Sequence, residues 1–119
     1  MFTCFIRYEI APDKLGAFKD YARAWIALIR RYGGTHHGYF LPAESGDTLP
    51  DASFSFPGLG RNGPPHIGVA LFSFPNVEAY EGYRRDVAND QECQAVTDRF
   101  NEKKCFSSYE RTFLVPLFE

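Results

Sequence analysis

The 119-residue sequence has no long apolar run, no basic run longer than two residues and only three cysteines. Because crossing a bilayer requires roughly 20 consecutive apolar residues, we expect no membrane partner. Lys and Arg together number 13 against 15 Asp and Glu, which gives a formal net charge of −2. Nucleic-acid binding usually requires a concentrated basic patch, so we expect no nucleic-acid partner either.

The three cysteines, Cys4, Cys93 and Cys105, are an odd number and show no C-x-x-C spacing. This pattern predicts neither a disulfide framework nor a zinc site, and we expect no metal ion. The cysteines are expected to be small buried side chains in a reducing compartment. Since the N-terminus also lacks the features of a secretory signal, the sequence predicts a cytoplasmic protein.

Aromatic residues are abundant, with twelve Phe and seven Tyr against a single Trp. Hydrophobic residues make up 45% of the chain, which is ordinary for a globular protein. The length fits one domain covering residues 1–119, with no room for a second core. So much aromatic surface must be buried in a core, a pocket or a subunit contact.

Hydrophobic periodicity and breaker residues predict four strands and two helical regions in the order β-α-β-β-α-β. The strands are expected at 2–10, 35–41, 66–74 and 105–117, and the helical regions at 14–31 and 76–100, with a break at Asn89-Asp90. This order matches the ferredoxin-like pattern. It predicts an antiparallel four-stranded sheet with both helical regions on one face and the first strand between the third and fourth.

The third predicted strand is apolar on both of its faces. Ile67, Val69 and Leu71 point one way, and the alternate residues through Phe74 point the other. A sheet with helices on one side and water on the other should alternate apolar and polar residues. We therefore expect a second copy of the chain to cover the open face and form a homodimer.

Residues 43–65 are dense in Pro, Gly, Ser and Asp and are predicted to form an inserted loop. Gly58 to Gly63 match the G-x-G-x-x-G spacing of dinucleotide-binding proteins. That motif requires a preceding strand and a following helix, whereas Pro64 and Pro65 follow it here. We therefore expect no bound cofactor.

The sequence resembles the NIPSNAP family over most of its length outside residues 43–65. The similar segments are Tyr8 to Leu15, Gly33-Gly34 with Gly38-Tyr39-Phe40, Tyr83-Arg84-Arg85 with Asn89 to Glu92, and Tyr109-Glu110-Arg111. The resemblance implies a dimeric α/β barrel in which two sheets pack face to face. It implies no settled activity, because the wider superfamily includes small monooxygenases, dehydratases and haem-handling proteins.

The candidate ligand-binding residues lie on the strands and are expected to face the barrel: Tyr8, His37, Tyr39, Phe72 and Glu110. Since neighbouring residues of a strand point to opposite faces, His37 rather than His36 should share a face with Tyr39. Glu110 is expected among apolar neighbours, where desolvation favours general acid–base work. A surface salt bridge with Arg7 or Arg111 is the alternative.

We therefore expect a NIPSNAP-like protein that binds a small apolar or aromatic ligand in an aromatic-lined cavity. One alternative is a non-catalytic dimeric interaction module with a packed interior. A second alternative is an enzyme similar to the cofactor-independent monooxygenases. The sequence assigns no catalytic residue.

Overall fold

The computed structural model describes residues 1–42 and 63–118 of the chain. These residues form four strands and three helices. The strands are β1 (Phe2–Ile10), β2 (Thr35–Phe40), β3 (Ile67–Phe74) and β4 (Phe106–Leu114), and the helices are α1 (Leu15–Arg31), α2 (Val77–Val87) and α3 (Gln91–Lys103). Most of the predicted loop at 43–65, including the glycine motif, lies outside the described residues.

All strand pairs are antiparallel, and the sheet order is β2-β3-β1-β4. This confirms the predicted ferredoxin-like arrangement, with β1 between the third and fourth strands. Tyr8 lies opposite Gly68 on β3 and Tyr109 on β4. Residues of β1 therefore lie at the centre of the sheet, where both neighbours hold them in place.

Local sequence signals explain where the helices begin and end. After α1, Gly33 has a φ of 89° and the Gly34 amide donates to the Ile29 carbonyl, which is a glycine-dependent helix end. Helix α2 begins at Asn76, whose side chain accepts from the Ala79 amide at 2.8 Å. Asp90 caps α3 in the same way, so the predicted break between the two helices is confirmed.

The core lies between the helices and one face of the sheet. Alternate residues of β1, from Cys4 to Ile10, are buried there. Phe18 and Leu28 of α1 are fully buried against this face, as is Phe74 of β3. Cys4 and Cys105 are buried free thiols, while Cys93 is half-buried.

The opposite face of the sheet, called the open face here, has no helix over it in the described part of the chain. Its centre is apolar and partly exposed, with Phe5 of β1 beside Leu71 of β3, and Phe40 of β2 beside Val69. Arg7 and Glu110, which lie opposite each other on β1 and β4, add charge of both signs. Among the described helices, none is long and apolar enough to span a membrane.

Candidate functional site

A cavity of about 230 Å³ lies between the helix-facing side of the sheet and the helices. A smaller recess of about 50 Å³ adjoins it, and both are lined by the same five side chains. We call the two spaces together the aromatic cavity. The shared lining residues are Tyr8, Tyr21, Trp25, Arg84 and Arg111.

Two strands and two helices contribute these five residues. Tyr8 comes from the central strand β1, and Arg111 from the neighbouring strand β4. Tyr21 and Trp25 lie one turn apart on α1, so their side chains share the face that meets the sheet. Arg84 lies on α2. Tyr8 and Arg111 lie on the side of the sheet that faces the helices, so their side chains meet those of Tyr21, Trp25 and Arg84.

Aromatic rings form most of the wall of the aromatic cavity. The Tyr8 and Phe106 ring centroids are 4.9 Å apart, and those of Tyr21 and Phe106 are 5.3 Å apart. Tyr39 and Phe72 line the recess, and Tyr109 lines the larger space. Ring faces and edges at these spacings suit stacking against a flat apolar ligand.

The tyrosine hydroxyls of the cavity are in a dry environment. Burial raises the pKa of Tyr8, Tyr21 and Tyr39 well above the usual range, and the three hydroxyls influence one another's pKa. These hydroxyls are therefore neutral at physiological pH. They can donate or accept a hydrogen bond but provide no negative charge.

The charge of the cavity is positive. Among the described residues, its lining contains Arg84 and Arg111 and no acidic residue. Arg111 Nη1 donates a long hydrogen bond of 3.4 Å to the Tyr80 hydroxyl, and its guanidinium lies 5.9 Å from the Tyr109 ring centroid. Among the ion pairs of the described residues, none involves Arg84 or Arg111.

Two polar groups of the lining side chains have no hydrogen-bond partner. Trp25 Nε1 and Arg111 Nε are both buried and unpaired within the described residues. Leaving such a donor unpaired costs about 1–3 kcal/mol, so native proteins rarely do so without a reason. Both residues line the aromatic cavity, although the two donor atoms are themselves covered by neighbouring protein atoms.

The structure corrects the expected position of the aromatic candidates. Tyr8, Tyr39 and Phe72 face the helices, not the open face through which two sheets would meet. Because the helix-facing side is closed by α1 and α2, the cavity belongs to a single chain. The prediction that these three side chains share a wall is nevertheless consistent with the structure.

His37 is on the opposite side of the sheet from Tyr39, contrary to expectation. A register irregularity between His36 and Gly38 adds one residue to β2, and Gly38 has a φ of 112°. The strand parity therefore changes, as expected at a β-bulge. His36, not His37, stacks on Tyr39 and Phe72, with centroids 5.1 and 5.6 Å away.

His37 instead belongs to a polar cluster on the open face. Its Nε2 lies 3.1 Å from the Ser73 hydroxyl, which is 2.8 Å from the Thr3 hydroxyl. Ser73 and Thr3 are buried, whereas His37 is exposed. No acid completes this row among the hydrogen bonds of the described residues, so its evident role is to join β1, β2 and β3.

Glu110 is exposed and lies on the open face, away from the aromatic cavity. Its partner across the strand pair is Arg7, while Tyr8 pairs with Tyr109. The expectation that Glu110 shares a cavity with the tyrosines is therefore wrong. Arg7 Nη1 is 4.0 Å from Glu9 Oε1, so Glu9 and Glu110 both lie beside the exposed Arg7 side chain.

Sequence reasoning missed four of the five shared lining residues. Trp25 falls at an apolar-periodic position of the helix predicted at 14–31, and its being the only tryptophan is the signal that marks it. Arg84 falls on the apolar stripe of the helical region predicted at 76–100, where a charged residue is unusual. Tyr21 and Arg111 gave none, because their position depends on how α1 and β4 are placed on the sheet.

Two other depressions are less suited to binding. A smaller groove of about 80 Å³ between α1 and α3 shares Tyr21 and Phe100 with the aromatic cavity. A wider depression near Pro64 and Ile67 is open and borders the part of the chain that is not described. Within the described residues, no group of three His, Cys, Asp or Glu could hold a metal ion.

The family model described as NIPSNAP matches residues 3–53 of the chain. No curated protein sequence matches it.

Solved structures with the same fold cover nearly the whole chain. An uncharacterised NIPSNAP domain protein from Burkholderia xenovorans is 19% identical, covers 98% of this chain and 95% of its own, and has a TM-score of 0.69. A NIPSNAP family protein from Agrobacterium tumefaciens is 20% identical and has a TM-score of 0.69. The match covers 98% of this chain and 85% of that protein. A candidate antibiotic biosynthesis monooxygenase from Nitrosomonas europaea is 12% identical and has a TM-score of 0.64. The match covers 99% of this chain and 100% of that protein. These likenesses show the shared fold.

Proposed function

We propose that the chain, whose residues 3–53 match the NIPSNAP family model, is a NIPSNAP protein that binds a small aromatic ligand in the aromatic cavity. The biochemical role of its NIPSNAP neighbours is undefined, so the proposal depends on the cavity itself. The observation that carries it is a partly open space of about 230 Å³ walled by aromatic rings, with two arginines in its lining.

Three properties of the cavity support binding. Ligand sites are mostly apolar concavities with a few convergent polar groups, and this space has both. Its volume is below the ~300–1,000 Å³ of sites for drug-sized ligands, so a compact ligand of one or two rings fits best. An interaction module with a packed interior would not be expected to retain such a space.

A thermal-shift screen of small aromatic compounds tests this function. A compound present at a hundred times its Kd should stabilise the protein by about 2.7 kcal/mol and raise Tm accordingly. Thr97 lines the cavity from α3, so a Thr97→Phe variant should reduce or abolish the shift by occupying the space. Asp98→Phe, on the same helix but outside the lining, is the matched control and should keep the shift.

The result that would contradict the proposal is equally specific. A screen without hits in the wild-type protein, or hits that Thr97→Phe leaves unchanged, would mean that the cavity is not the binding site. In that case the interaction module with no ligand becomes the better description.

Monooxygenase activity without a cofactor is the second candidate. Its support is the fold shared with the protein from Nitrosomonas europaea that is named as a candidate antibiotic biosynthesis monooxygenase. Among the described residues, the lining of the aromatic cavity contains neither a carboxylate nor a histidine that could act as a general base. Oxygen consumption in the presence of a screening hit would favour this activity, and its absence would favour binding alone.

Two copies of the chain are proposed to pair through their open faces. The supporting observations are the partly exposed apolar centre of that face and the presence of both charges beside it, which lets Arg7 of one copy meet an acid of the other. The free cysteines are consistent with a cytoplasmic location, which we propose as well.

A further inference from the structure

We infer that the ligand of the aromatic cavity is an aromatic carboxylate, held by Arg111 and Trp25 with help from Arg84. This inference rests on the proposed function and specifies the chemical class of the ligand. It follows from the charge of the cavity, from its unpaired donors and from the shape of its wall.

Charge gives the first argument. Arg84 and Arg111 both line the aromatic cavity, and no carboxylate lies in its lining or pairs with either arginine among the described residues. Arg111 is only partly exposed, so its charge is incompletely solvated. Because a guanidinium in this position is stabilised by an opposite charge, the cavity selects anions.

Hydrogen-bonding capacity gives the second argument. Trp25 Nε1 and Arg111 Nε are covered donors without an acceptor among the described residues, and neither group can itself accept, so a small shift of the cavity wall would present them to a ligand. A ligand that pairs with both must supply acceptors only. A carboxylate does so with two oxygens and matches the planar edge of a guanidinium, whereas an amine or ammonium would leave both donors unpaired.

The wall gives the third argument. Tyr8, Tyr21 and Phe106 present aromatic rings with centroids 4.9–6.3 Å apart, and the cavity is too small for an extended chain with several rings. A flat ring of the ligand can stack there while its carboxylate points to the arginines. A free inorganic anion would use the charge but would leave the aromatic wall empty.

The single tryptophan provides a direct test in the intact protein. Trp25 is the only tryptophan, so a ¹H–¹⁵N spectrum contains one indole N–H signal. The probes are 2-naphthoate, its neutral analogue 2-naphthamide and sodium sulfate. We expect naphthoate to move the indole signal with at least a tenfold lower Kd than naphthamide, and sulfate to bind more weakly than naphthoate.

Variants of the two arginines show whether they cause the preference for naphthoate over naphthamide. Arg111→Gln should reduce the preference for naphthoate over naphthamide to near unity, and Arg84→Gln should reduce it partly. Arg85→Gln removes the neighbouring exposed charge outside the lining and should leave the preference unchanged. If Arg111→Gln does not fold, Arg111→Lys keeps the charge without the planar fork and should retain only part of the preference.

The outcomes separate this inference from the proposed function. Equal binding of naphthoate and naphthamide, or a preference that survives Arg111→Gln, would overturn the carboxylate and leave binding in the aromatic cavity intact. Stronger binding of sulfate than of naphthoate would overturn the aromatic requirement. If no probe moves the indole signal while other screening hits do, the carboxylate inference fails, and if none of either set does, both fail.

Discussion

At the scale of single residues, His36 is held in a setting that favours its uncharged form. It is buried, its Nδ1 accepts a hydrogen bond of 2.9 Å from the Gly38 amide, and its Nε2 has no partner. Burial lowers the pKa of His36 to about 4, and the nearby charges of Arg30 and His37 act in the same direction. The Nδ1 contact places the single proton of the neutral ring on Nε2.

This setting predicts that stability falls as the pH drops from about 6.5 to about 4. The unfolded chain binds a proton at His36 near pH 6.5, while the folded chain does so only near pH 4, so acid favours unfolding within that interval. The expected loss is roughly 1–3 kcal/mol. Denaturant unfolding at a series of pH values measures it, and the part of the loss that comes from His36 should be complete by about pH 4.

His36→Asn keeps a short acceptor for the Gly38 amide but removes the titrating ring. This variant should be less stable at pH 7, because it loses the ring contacts with Tyr39 and Phe72, and its stability should change less between pH 6.5 and 4. His37→Asn changes an exposed ring on the opposite face and is the matched control. A His36→Asn variant with the wild-type pH slope would refute this explanation.

Sequence pattern predicted the alternation along β1 and β3 but not which of their faces meets the helices. Alternation holds along β1 from Cys4 to Ile10, yet Tyr8 lies on the helix-facing side and not on the open face where it was expected. In β2 one extra residue before Gly38 reverses the parity and exchanges His36 for His37. For β4, the register that pairs Tyr8 with Tyr109 is set by the whole sheet, so the face of Glu110 could not be counted from its own strand.

At the scale of elements, the start of α3 is joined to the end of α1. Asp90 caps α3 by accepting from the Glu92 amide at 2.8 Å and also accepts from the Tyr32 hydroxyl at 2.6 Å. Arg31 donates to Asp90 and to Glu92, both at 2.9 Å. The hydrogen bond from Tyr32, followed by that from Arg31, lowers the pKa of Asp90. One carboxylate thus connects two helices that close the aromatic cavity.

Asp90→Ala is therefore expected to lower Tm by several degrees and to loosen α3. The variant loses the cap of α3 and the contacts to Tyr32 and Arg31 together. Asp90→Asn should be intermediate, because an amide oxygen still caps the helix but carries no charge for Arg31. Thermal unfolding followed by circular dichroism measures both, and hydrogen exchange at Cys93 and Gln94 reports local opening.

Asp98→Ala, an exposed change on the same helix, is the control and should leave Tm nearly unchanged. Since the pKa of Asp90 is lowered by folding, its contribution is present above the ordinary Asp pKa and disappears as the pH falls through the lowered value. That interval lies below the one assigned to His36. Equal Tm values for Asp90→Ala and Asp98→Ala would show that the contacts of Asp90 with Tyr32, Arg31 and the start of α3 do not stabilise the fold.

Helix ends were the most predictable part of the fold. Gly33-Gly34, Asn76 and Asp90 are local signals, and each marks a boundary that the structure confirms. Arg31 and Asp90 are 59 positions apart in the sequence, so no local pattern predicts their contact. The aromatic cavity was equally hidden, since it forms only where α1, α2 and α3 meet the sheet.

At the scale of the whole molecule, the two faces of the sheet have different roles. The helix-facing side forms the core and the aromatic cavity, while the open face presents apolar side chains around Phe5 and Leu71. The aromatic cavity is therefore lined by residues of one chain. Pairing of two chains would stabilise the sheet from the other side without blocking the cavity.

The size of the open face decides how strong this pairing can be. Four strands spaced ~4.8 Å apart and about 25 Å long cover on the order of 500 Å². Stable interfaces bury about 800 Å² per partner, so the sheet alone falls short. Val115, Leu117 and Phe118 follow β4 and are 78–88% exposed, an unusual amount of apolar surface for a free chain end. Their burial against a second copy would supply the remaining area.

Light scattering at micromolar concentration should therefore return twice the chain mass of 13.6 kDa. Leu71→Lys places a charge at the centre of the open face and should shift the protein to a folded monomer, because two-fold pairing would bring two lysines together. Val77→Lys, at an exposed apolar position on α2, is the matched control and should remain a dimer.

Far-UV circular dichroism shows whether Leu71→Lys is folded, and Val69→Lys replaces it if not. A wild-type monomer at this concentration, or a folded Leu71→Lys or Val69→Lys that stays dimeric, would rule out pairing through the sheet.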